Sequence, residues 1–165
     1  MTLWNRMAVA ASAVILALAA GLLAGIDRTQ AAADAKTVIE TRQKAMKDLG
    51  EHMKSINDFV EKGEGDAAKV AEHARAIAET AKVIPQVFPD GTSLNDDHGV
   101  KTAAKPEIWS DRPGFEAAAA NLGERAGTLV TAAEGGDKQV VAASFAELGK
   151  EGCGGCHSKF RQKQD

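Results

Sequence analysis

Cys153-Gly154-Gly155-Cys156-His157 holds the only two cysteines of the chain, and its C-x-x-C-H pattern is that of a c-type haem attachment site. Two thiols on adjacent helical turns can each add to one vinyl group of the same porphyrin. The histidine just after the second thiol is then carried beneath the iron, where its imidazole serves as proximal axial ligand. Other readings of the pair explain less. A zinc site needs four ligands, typically a second Cys pair or two histidines, and His52, His73 and His98 are scattered. A thioredoxin-like pair belongs in a βαβ setting, and no strand pattern surrounds this one. A structural disulfide has no use for an adjacent histidine.

Outward from the motif, the preceding segment reads as a helix. Asp137 can cap it after Gly135-Gly136, and Val141, Phe145, Leu148, Cys156 and Phe160 lie along its inner face. Three more segments carry helical periodicity. The first, about 35–62, has the stripe Ile39, Met46, Leu49, Met53, Ile56 and Val60, with Arg42 on the same face, and Gly63-Glu64-Gly65 breaks it. The second follows Asp66 as N-cap, repeats Val70, Ala74, Ile77, Ala81 and Ile84, and stops at Pro85 and Pro89. The third is expected to start at Pro113, a residue suited to the first helical turn, with Phe115, Ala119, Leu122, Ala126, Leu129 and Ala133 inward. Between the second and third lies a long connection carrying Asp90-Gly91, Asn95-Asp96-Asp97 and Pro106, which suits a crossover between the two halves of a bundle. Four amphipathic helices predict an all-α antiparallel four-helix bundle with haem in its core.

The N-terminus has another character. Arg6 precedes an apolar run from Met7 to Ile26, and Ala31-Ala32-Ala33 offers a cleavage site before Asp34. Residues 1–33 are read as an export signal rather than a retained anchor, although the run is long enough to span a bilayer. The expected domain is then 34–165, exported to the periplasm. Of 20 basic and 23 acidic side chains, Arg6, Arg28 and Asp27 precede Asp34, which leaves 18 and 22. An acidic balance with dispersed cations argues against nucleic acid as a partner.

The haem motif in the last helix continues as Ser158-Lys159-Phe160-Arg161. Thr41 to Lys47 reads Thr-Arg-Gln-Lys-Ala-Met-Lys, and the crossover reads Val87-Phe88-Pro89-Asp90-Gly91-Thr92 and later Lys105-Pro106-Glu107-Ile108-Trp109. On these motifs the chain resembles the class II c-type cytochromes, which include cytochrome c′ and its low-spin relatives. The resemblance implies one covalent haem c, with Cys153 and Cys156 as thioether anchors and His157 as fifth ligand. It implies Arg42 and Gln43 near the propionates and Arg161 beside the proximal face. The position of Met46 divides the family. A methionine that ligates iron gives a six-coordinate electron carrier, whereas a packing residue leaves an open iron that only small gases reach. Methionine suits both roles. The reading taken forward is an exported, non-enzymatic electron carrier with His157 and Met46 as axial ligands and redox proteins as partners. The alternative is a five-coordinate cytochrome c′ that binds nitric oxide or carbon monoxide. The family also pairs into homodimers. No membrane contact is expected once the signal is removed. His52 and His73 fall off the inner stripes and read as surface residues, and His98 as solvated.

Overall fold

The computed structural model describes residues 34–163; the expected export signal lies outside them, so that expectation meets no structural test. Residues 34–62 form α1, followed by α2 (Ala67–Val83), a short 3₁₀ turn at Ile84–Val87, a single turn α3 (Glu107–Ser110) and α4 (Arg112–Gly135). The last segment divides into α5 (Lys138–Glu147), a π-helical stretch Leu148–Gly154 and α6 (Gly155–Phe160). The fold is an all-α four-helix bundle. The described residues contain no β-strand, only an isolated antiparallel bridge between Ala104 and Arg161.

Helix ends follow from local chemistry. Gly63, at φ 72°, ends α1: its amide bonds the Phe59 carbonyl at 3.0 Å and the Glu64 amide reaches Asp58 at 3.3 Å, a left-handed cap that only glycine adopts without cost. The Asp66 carboxylate accepts from the Lys69 amide at 2.8 Å and opens α2. Asp137 does the same for α5, accepting from the Gln139 and Val140 amides. The third long helix begins at Arg112, one residue before the expected proline, because Asp111 is the cap and accepts from Gly114.

The stripes of α2 and α4 are buried as the periodicity requires: Val70, Ala74, Ile77 and Ala81 on one, Phe115, Ala119, Leu122, Ala126, Leu129 and Ala133 on the other. So many alanines let the two backbones approach closely. A Cβ built on Gly123 of α4 would stand 3.5 Å from that of Ala81. Each Ile or Leu buried there contributes about 1.5–3 kcal/mol, an alanine far less, so larger residues at the bundle end carry the packing. Phe115 makes edge contacts with Phe88 and Phe160, at centroid separations of 5.0 and 5.3 Å.

The crossover is ordered by its own contacts. The Trp109 indole donates to the Phe88 carbonyl at 3.2 Å, and Arg112 donates to Phe88 and Pro85 carbonyls. Trp109 therefore anchors the crossover. Leu94 pairs with Ala104, the Lys105 amide with Phe160 and the Gln162 amide with Ala103, which lays the crossover along the end of α6. His98 is buried, against expectation: its Nε2 donates to the Ser93 carbonyl at 2.8 Å. The loop closes around that bond instead of leaving the ring in water.

Candidate haem site

A cavity of about 840 Å³ opens at the end of the bundle, between α1, the crossover, α4 and the C-terminal segment. Arg42, Gln43, Met46, Cys153, Cys156, His157 and Arg161 all line it. The sequence could not place the crossover's own contribution, Phe88 and the 102–104 segment, because that stretch has no periodicity to read.

The cysteine face depends on winding. In an α-helix the residue five positions after Leu148 is turned about 140° away from it. A π-helix, hydrogen-bonded i→i+5, winds more loosely and cuts that offset to about 50°. The π-helical stretch therefore brings Cys153 round toward the interior, where it packs against the core beside Cys156. This corrects the expectation of one continuous α-helix. Gly149, Gly152, Gly154 and Gly155 make the local backbone permissive. At Gly152 an added Cβ would lie 3.2 Å from both Leu122 and Leu148. Neither cysteine is in a disulfide. Burial raises both thiols above their ordinary value, and burial followed by the neighbouring Cys153 takes Cys156 to about 11. They are thus protonated near neutrality and poor spontaneous nucleophiles.

The His157 ring is half-buried and makes no hydrogen bond to any described residue. Burial, and secondarily the Arg161 charge, holds it below the ordinary imidazole value. A neutral, unbonded imidazole turned into a cavity is a competent metal ligand.

Arg42 is 2% exposed and donates to the Thr92 hydroxyl (2.7 Å), the Thr92 carbonyl (2.5 Å) and the Thr102 hydroxyl (2.9 Å), with the Phe88 ring 4.5 Å from its guanidinium carbon. No carboxylate of the described residues pairs with it, and desolvation lowers it to about 10. Gln43 donates to the Lys101 carbonyl at 2.8 Å. A buried cation without an acid, at the edge of a cavity, suits a ligand that brings its own carboxylate. Haem brings two propionates, together with vinyl groups for the thiols and iron for the imidazole, so the donor set fits it.

On α1, beyond Gln43, the wall turns apolar with Met46, Leu49 and Met53. His52 and His73 are absent from the cavity. They meet each other instead, Nδ1 to Nδ1 at 3.0 Å, across α1 and α2. Their placement off both stripes was legible; that the two off-stripe positions coincide needs the helix packing.

The family profile for cytochrome c′ matches residues 37–161. The chain belongs to the cytochrome c′ family. Its cofactor is one covalently attached haem c. Cytochrome c′ of Pararhodospirillum photometricum is 36% identical over 131 residues, covering 79% of this chain and all of that protein. Cytochrome c-556 of Agrobacterium tumefaciens is 37% identical over 128 residues, covering 76% and 98%. A solved cytochrome c′ with an unusual ligand-controlled dimer dissociation superposes with TM-score 0.70 at 32% identity, covering 78% of this chain and 97% of that one. The nitric oxide complex of a variant cytochrome c prime from Alcaligenes xylosoxidans gives 0.66 at 26% identity, covering 79% and 97%.

Proposed function

We propose that this chain is a periplasmic cytochrome c′ that binds nitric oxide or carbon monoxide, with His157 as the sole protein ligand to the iron. This replaces the electron carrier with a Met46 ligand that the sequence favoured. The observation that carries the reading is the match to the cytochrome c′ profile over residues 37–161; Met46, half-buried in an apolar row with Leu49 and Met53 along one side of the cavity, suits a packing role there. Such a wall packs over an open coordination position and admits small uncharged molecules while excluding hydrated ones. The nitric oxide complex of a relative supports the same reading.

In this assignment Cys153 and Cys156 hold the haem covalently and His157 ligates it. Arg42 and Gln43 would serve its carboxylates, and Arg161, in the same lining, would stand close to His157. When bound, the haem supplies an iron with one position open to a gas. The chain would hold that group through Cys153, Cys156 and His157, and Met46, lining the same cavity, would limit the room left for a gas. An enzymatic role such as peroxidase would use a cavity histidine beside a cation. His157 is the cavity's histidine and is already assigned, and Arg42 is engaged by Thr92 and Thr102. A homodimer is the expected solution state, supported by the relative whose dimer dissociates under ligand control.

The test is the absorption spectrum of the ferrous protein before and after carbon monoxide. A broad high-spin spectrum that shifts on adding the gas is expected. Sharp, split visible bands that ignore carbon monoxide would return the assignment to a Met46-ligated carrier.

A further inference from the structure

Away from the haem cavity, two half-buried imidazoles from different helices face each other. His52 of α1 and His73 of α2 are 21 residues apart in sequence, with their Nδ1 atoms at 3.0 Å and ring centroids at 5.2 Å. One hydrogen bond can be shared between two neutral rings, but the arrangement also has the dimensions of a chelate. With metal–nitrogen bonds of about 2.0–2.1 Å, donors 3.0 Å apart subtend about 90–95° at a common ion, whereas a tetrahedral pair would stand about 3.4 Å apart. A right angle is the cis geometry of square-planar and octahedral ions.

We propose that His52 and His73 form a two-imidazole site for a divalent transition metal ion of the copper(II) or nickel(II) kind, which ties α1 to α2. With centroids 5.2 Å apart the rings point almost head-on, so each ring swings by roughly 30° to turn its lone pair from the shared proton to a common ion. Neither lies in the haem cavity, so the site is separate from the iron centre. Of the acids adjacent in sequence, Glu72 is held by Lys69 at 2.6 Å and Glu51 is exposed, and among the described residues no cluster of three or more His, Cys, Asp or Glu forms, which leaves two nitrogens as the donor set and water to complete it. Imidazole affinity for divalent ions peaks at copper(II), with nickel(II) next below it and zinc(II) beyond.

The experiment titrates copper(II), and separately nickel(II), into the haem-loaded protein by calorimetry, beside His52→Gln, His73→Gln and the double variant. The haem absorption spectrum of each variant reports whether it folds. One ion per chain is expected in the wild type. Losing even an outer-shell partner of a metal site costs about 10–100-fold in affinity, so each single variant should lose at least that. Electron paramagnetic resonance of the wild-type copper complex should show coupling to two imidazole nitrogens, a readout that needs no variant. Equal affinity in the double variant, or coupling to fewer than two imidazoles, would overturn the proposal.

Discussion

Arg42 is the residue that the rest of the site leans on. It was legible in the sequence as a cation on an otherwise apolar stripe, which a helix does not tolerate without a partner. What the sequence could not supply were the partners, Thr92 and Thr102, because both sit in an aperiodic connection 50 and 60 residues away. Arg42→Leu removes three hydrogen bonds from a charged donor and leaves Thr92 and Thr102 short of a partner. It should cost about 2–3 kcal/mol in the denaturant unfolding of the haem-loaded protein. An unchanged midpoint would mean that desolvation of the guanidinium cancels its bonds. Met46 makes the opposite case. Its place on the stripe was legible and its role was not, since thioether packing and thioether ligation ask for the same position. Met46→Ala should enlarge the distal space and raise carbon monoxide affinity while the ferrous spectrum stays high-spin. A change from low-spin to high-spin in that variant would show that the sulfur had been bound to iron.

At the scale of elements, periodicity found every long helix, and the caps fixed their ends because Asp66, Asp111 and Asp137 each satisfy exposed amides that nothing else reaches. Replacing Asp137 by alanine should lower the thermal midpoint by an amount equivalent to about 1 kcal/mol. The last helix was misread because the hydrophobic stripe steps by three and four, and a π-helical turn hides one residue from that count. Gly152 marks the spot. Valine there would drive methyl groups into Leu122 and Leu148, already 3.2 Å from a built Cβ. The variant should lose about 1–3 kcal/mol and bind haem covalently in lower yield, read from the haem-to-protein absorbance ratio. Within α1, Asp58 bonds both Lys54 and Lys62, and these hydrogen bonds hold its carboxyl below the ordinary value. A depressed carboxylate stabilises the fold above its unfolded-state value and loses that contribution as pH falls through the folded one. The thermal midpoints of wild type and Asp58→Asn should differ at neutral pH and converge in acid.

For the molecule as a whole, α2 and α4 make one unit of buried alanine and aliphatic contacts, while the crossover is held mostly by hydrogen bonds, and those made by Leu94, Lys105 and Gln162 come from half-buried or exposed residues. Amides of Leu94, Lys105 and Gln162 should therefore exchange with solvent through smaller openings than those of Ala126 and Leu129, as read by hydrogen exchange. Equal protection would make the protein a single cooperative unit. The bundle class was legible because helices advertise themselves locally; the cavity was only half legible, because its crossover wall is made by pairings between distant segments. Those pairings bear on timing. Contacts such as Gln162 with Ala103 and Arg42 with Thr92 close long stretches of chain, and long closures form after local ones. The helices can stand while the crossover still hangs open, and in that interval Cys153 and Cys156 lie within reach of whatever delivers the porphyrin. The crossover then acts as a latch that falls last and retains what has already been fastened.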